Sequence, residues 1–181
     1  MRGFVGDADI EVTYAAVGRA LSAWEAVELG MATVYSIFVG KALQLDSIRE
    51  YGAVNRIFVG RMEAIRKASD AYFRAHCDQD SEGDFSALCK RAASLSDNRN
   101  NIAHGIVEAT TYLHNPDTWP PEQCHVELFI LRPPWYTIDR LKLYDWQGMG
   151  SKEIMSSALD FEMLSEDLEK FALRLHPLSR R

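Results

Sequence analysis

Residues 94–109 read SLSDNRNNIAHGIVEA and hold an arginine, an amide and an imidazole close together as Arg99, Asn100 and His104. Six of the first eight residues are Ser, Asp or Asn, types that compete with a helical backbone for hydrogen bonds. The stretch nevertheless lies inside a segment with helical periodicity, so its polarity calls for a reason. At about 100° per residue an ideal helix sets Arg99 and His104 roughly 140° apart, whereas Asn100 and His104, at i and i+4, share a face. A long arginine side chain can swing round to that face, particularly if the Ser-Asp-Asn run distorts the helix. Guanidinium, amide and imidazole then converge on one small concavity suited to a phosphate. Arginine brings a planar fork of donors, and histidine takes up or gives off a proton near neutral pH.

Helices must position these groups. Residues 9–39 repeat apolar side chains at three- and four-residue steps (Val17, Leu21, Trp24, Met31, Phe38), with Asp7 or Asp9 available as a cap. A second long helix is expected over 47–76, a turn in CDQDSEGD, and a third helix from near Asp84 that carries the arginine and histidine. After Tyr112 the pattern alternates as strands do, and a β-hairpin is expected over about 124–146 around Pro133-Pro134. A last helix, starting near Ser157 or Ser165, closes the chain before Pro177. The fold expected is all-α: a four- to five-helix up-and-down bundle with a β-hairpin inserted before the last helix, as a single domain over 1–181.

The order "RNNIAHG" on a late helix of such a bundle resembles the R-x4-6-H motif of the HEPN superfamily (higher eukaryote and prokaryote nucleotide-binding). "SAWEAVELGMATVY" in the first helix also looks like the Trp-and-Glu opening of bacterial members. The resemblance implies a metal-independent endoribonuclease, in many members a toxin or a defence component. It carries over to Arg99 as the motif arginine, Asn100 as the polar residue after it and His104 as the motif histidine. RNA would be the partner, with Arg99 and Asn101 against its phosphates. His104 would move protons while a 2′-hydroxyl attacks phosphorus, and Arg99 would stabilise the charge on the phosphoryl oxygens. One motif histidine per chain suggests a homodimer that gathers an acid and a base. The apolar circumference of the first helix, with Leu29, Met31, Val34, Tyr35 and Ile37, offers a contact surface for it. An antitoxin protein is a further expected partner.

Composition bounds the alternatives. A net charge of −6 argues against a broad basic surface coating nucleic acid, though not against a small basic pocket. Cys77, Cys89 and Cys124 form no C-x-x-C pair, and His76-Cys77 and Cys124-His125 lack ligand spacing, so neither metal nor cofactor is expected. Asp7, Asp9 and Glu11 interrupt any leader-like run, and the apolar stretch after Glu28 is too short to span a bilayer; a cytoplasmic protein without membrane contact is expected. Trp119, Trp135, Tyr136 and Trp146 cluster around the hairpin, as packing residues or as stacking surfaces for bases.

Rival readings of the motif remain. Asn98, Asn100 and Asn101 could cap a broken helix, Arg99 could pair with Asp97 or Glu108, and His104 could be a core histidine beside a closely packed Gly105. Glu28 is either a partner for Arg99 or a residue at an exposed edge. A HEPN-like module that only binds a nucleotide or a protein is the alternative function.

Overall fold

The first helix starts at an aspartate cap. In the computed structural model, which describes residues 5–41, 45–54, 57–113, 125–134 and 148–176, α1 spans Ile10–Phe38. Asp9 Oδ1 accepts the Glu11 N–H at 3.0 Å, satisfying one of the donors a helix start leaves open.

The long second helix expected over 47–76 is two helices, α2 (Leu45–Val54) and α3 (Phe58–His76). Ile57 precedes α3 with extended backbone angles, φ −105° and ψ 145°, which no continuous helix accommodates. The apolar rhythm persists across the break because each piece buries its own face: Tyr51 on α2, then Met62, Ile65 and Phe73 on α3. α3 ends at Cys77, whose left-handed φ of 54° lets its N–H return to the Phe73 carbonyl at 2.8 Å. The turn expected over 77–84 is shorter than that. Asp78 accepts from the Ser81 N–H (3.1 Å) and hydroxyl (2.8 Å), starting α4 (Gln79–His104) at once and placing Gly83 inside it.

A second correction concerns the hairpin. Residues 106–109 do not continue α4; they open strand β1 (Ile106–Leu113), a run of β-branched and aromatic residues. β1 pairs antiparallel with β2 (His125–Arg132), from Ile106 opposite Arg132 to Leu113 opposite His125. The partner of β2 is therefore upstream of it. The return strand expected after Pro134 and the aromatic cluster of Trp119, Trp135, Tyr136 and Trp146 lie outside the described residues. α5 (Ser151–Leu175) begins earlier than either expected start, because Glu153 Oε2 accepts the Gly150 N–H at 3.0 Å as the returning half of a capping box. The result is an all-α bundle with a two-stranded hairpin before the last helix. Among the described residues no helix is long and apolar enough to cross a membrane.

The chain divides into two compact units, residues 1–22 with 98–159 and residues 23–97 with 160–181. In the second, Trp24 meets Phe58 and Phe161 edge-on at 5.2 Å each, and Phe38 packs on Phe73 and Phe85. Trp24–Phe58 with Phe38–Phe73 runs α1 and α3 in one direction, and Trp24–Phe161 with the approach of Gly30 to Leu168 does the same for α1 and α5. Arg91–Asp167 and Arg174–Asp84, both 2.7 Å, run α4 against α5. The apolar circumference of α1 is largely used up here: Met31, Ala32, Val34, Ile37 and Phe38 are buried, and Leu29 is exposed.

Glu28 is not at an exposed edge, and the arginine it pairs with is Arg61 rather than Arg99. Arg61 Nε and Nη2 donate to its two carboxylate oxygens at 3.0 and 2.5 Å, with side chains only 14–16% exposed. Burial pulls the Arg61 guanidinium down, but the bonds to Glu28 outweigh it and hold it above its ordinary value. Burial likewise pushes the neighbouring Tyr51 phenol up, with Glu28 adding to the effect. Cutting one partner from such a pair leaves the other charge desolvated. Glu28→Ala is therefore expected to destabilise by about 3 kcal/mol in urea titration. A Glu28→Ala/Arg61→Leu double variant should recover more than half of that loss. A loss below ~1 kcal/mol would assign the pair to the solvent-screened class instead.

The first unit is tied together at Asp7. Its backbone N–H and C=O pair with Phe129 at 2.9 and 2.8 Å. Its carboxylate accepts from the Thr13 hydroxyl (2.8 Å), the Ser151 N–H (2.8 Å) and the Ser151 hydroxyl (2.6 Å). One side chain thus holds the starts of α1 and α5 while its backbone holds β2.

Candidate functional site

The last two turns of α4 belong to this first unit and carry the residues singled out by their chemistry. The helix stays unbroken through the Ser-Asp-Asn run to His104, so the three asparagines do not cap a break. Its buried positions are Ser81, Phe85, Cys89, Ala92 and Ile102, along one side of the helix. Arg99 falls on that same stripe, between Ala92 and Ile102. This explains why it is only partly exposed and why its Nε is buried, without a hydrogen-bond partner among the described residues.

The far end of the guanidinium turns away from the stripe. Arg99 Nη1 donates to Asn100 Oδ1 at 3.1 Å. Asn100 and His104 are both exposed and lie one turn apart on the same face. The arginine therefore reaches toward the histidine face without any distortion of the helix. Asn101 is half-buried beside them.

Two rival readings fail on this geometry. Arg99 has no carboxylate at ion-pair distance among the described residues, in contrast to Arg61, Arg91, Arg132 and Arg174. Glu108, considered as its partner, pairs instead with Arg132. His104 is no core histidine either, since it is exposed and makes no hydrogen bond among the described residues. An arginine bonded only to a neutral amide keeps its charge available for an anion.

Gly105 explains how the site is held. Its φ is not in the left-handed region. A Cβ there would stand 2.8 Å from the Asn101 carbonyl oxygen, 2.8 Å from Leu131 Cδ1 and 2.9 Å from the Arg132 carbonyl oxygen. The missing side chain lets β2 close on the end of α4 as the chain leaves His104 for β1. This brings Arg132 and Glu108, neither assigned to the site from sequence, to the same end of the unit. Only the strand register could have found them.

Among the described residues no three His, Cys, Asp or Glu side chains gather in a way that could hold a metal ion. The thiol of Cys89, in the second unit, is buried and pushed up to about 11 by that burial, which leaves it a poor nucleophile. The end of α4 thus presents a guanidinium bonded to Asn100 and an exposed imidazole one turn from that amide. Comparison with protein-family models, curated proteins and solved structures finds no match for the chain.

Proposed function

We propose that this chain is a metal-independent endoribonuclease of HEPN type that cleaves single-stranded or loop RNA by transesterification. The observation that carries this reading is the Arg99 guanidinium, free of any carboxylate among the described residues and turned through Asn100 toward the face of His104. In this mechanism a 2′-hydroxyl oxygen bonds to the adjacent phosphorus and the bond from phosphorus to the 5′-oxygen breaks. The products are a 2′,3′-cyclic phosphate and a 5′-hydroxyl. His104 takes the proton from the attacking hydroxyl or gives one to the leaving oxygen. Arg99 stabilises the charge that builds on the non-bridging oxygens. Asn100 holds the guanidinium in place, and Asn101 adds a polar contact to the phosphate.

With one motif histidine per chain, the acid and the base come from two copies, so the working form is a homodimer; Val12, Tyr14 and Leu29 are the large apolar side chains that α1 leaves exposed. Such an activity suits a toxin or a defence component restrained by an antitoxin protein.

The direct test incubates purified protein with mixed RNA in excess EDTA. Cleavage is expected to persist and to leave 2′,3′-cyclic phosphate ends, identified by mass spectrometry. Loss of cleavage on chelation, restored by Mg²⁺ or Mn²⁺, would overturn the mechanism. Intact RNA together with tight nucleotide binding would support the binding-module alternative.

A further inference from the structure

The Arg132–Glu108 pair lies at the end of the first unit where His104 is exposed, and the proposed reaction makes no use of it. Its position follows from the strand register. Phe129 and Leu131 spend their N–H and C=O groups on Asp7 and Met149. The alternation of an antiparallel ladder then turns the backbone groups of Ile130 and Arg132 toward β1. Arg132 stands opposite Ile106, two residues beyond His104. Two extended residues and one strand spacing put the Arg132 Cα within about 13 Å of the His104 Cα. Side chains opposite each other on paired strands project to the same face, so Arg132 shares its face with Ile106, which is 66% exposed, and with Glu108.

The guanidinium is held but not committed. Arg132 Nε donates to Glu108 Oε1, and the two side chains remain 38% and 42% exposed. Exposed ion pairs are weak and give way to a better anion. A phosphodiester offers the fork geometry that a guanidinium prefers.

We propose that Arg132 is a second phosphate-binding residue, which holds single-stranded RNA on the hairpin one or two nucleotides away from the phosphate at Arg99 and His104. Glu108 is its competitor: RNA that displaces the carboxylate gains the arginine, and a ligand with a single phosphate gains nothing from it. This inference rests on the endoribonuclease reading.

The experiment measures binding of a fluorescent 2′-O-methyl oligonucleotide of about ten nucleotides, which cannot be cleaved, by anisotropy across a salt series. Arg132→Ala is expected to weaken binding about tenfold and to lower the salt slope by about one, the signature of one lost phosphate contact. Glu108→Gln is expected to tighten binding about threefold at low salt, and it stands on its own if the alanine variant does not fold. Arg91→Ala, in the other unit and paired with Asp167, serves as a charge control and should bind as wild type. Arg132→Ala binding as wild type while Arg99→Ala binds weakly would overturn the role of Arg132 and leave the function standing. Equal weakening by Arg91→Ala would overturn it too, since the loss would then reflect overall charge. Failure of the wild-type chain to bind the probe, with no change in Arg99→Ala, would remove the endoribonuclease reading and this inference together.

Discussion

His104→Ala is expected to reduce RNA cleavage about a hundred- to ten-thousandfold while the melting temperature stays close to that of the wild-type chain. The size follows from removing a positioned proton-transfer group, worth roughly 10²–10⁴ in rate. The unchanged stability follows from exposure: the imidazole is solvent-facing and has no hydrogen-bond partner among the described residues. An exposed substitution of this kind costs about 0.5 kcal/mol or less. Arg99→Ala should lose activity similarly but cost more stability, because its stem lies on the buried stripe of α4. Mixing experiments extend the test to the dimer. If two chains share a site, an excess of His104→Ala chains should poison wild-type activity. Activity that tracks the amount of wild-type chain would show that each subunit works alone. Unfolding of His104→Ala would instead return the histidine to a structural role.

Gly105→Ala is expected to damage both stability and activity. The added methyl carbon would meet two backbone carbonyl oxygens and a leucine methyl, all inside 3.0 Å. A leucine can change rotamer, but the carbonyls belong to the last turn of α4 and to β2 and cannot yield separately. The expected cost is about 2–3 kcal/mol, the upper range for overpacking a filled space. The same displacement pushes the last turn of α4 off the strand, so cleavage should fall by more than the folded fraction alone explains. Urea titration and activity per folded molecule separate the two effects. Wild-type values for both would mean that the helix end and the strand part without strain.

The contrast between these residues shows what the amino-acid order reveals. The long apolar periodicity of α1 is local information, and its start is read within a residue from the Asp9 cap. The close packing at Gly105 was not decided by the order, because glycine after a helix end also serves as a left-handed cap and its contacts with β2 are tertiary. The break between α2 and α3 was hidden because both pieces keep their apolar faces in phase across Ile57. β1 was mistaken for a continuation of α4 since IVEATTYL follows a helical rhythm without a proline, and only pairing with β2 decides its state. The candidate site was legible in part. Residue types named Arg99, Asn100 and His104, but the freedom of Arg99 from carboxylates among the described residues depends on where Glu108 and Arg132 meet, which is tertiary information.

Asp7 also sets a timetable. Its bonds to Ser151 join positions 144 residues apart, and its backbone pairs with Phe129 in between. Closing so long a loop is entropically costly and slows the step that requires it. On the ribosome, residue 7 must wait for residue 151 to emerge before this clasp can form. The unit that carries the Arg99 and His104 end of α4 therefore completes its assembly only after residue 151 has been made, and a growing chain carries the chemistry in its sequence well before it holds it in shape.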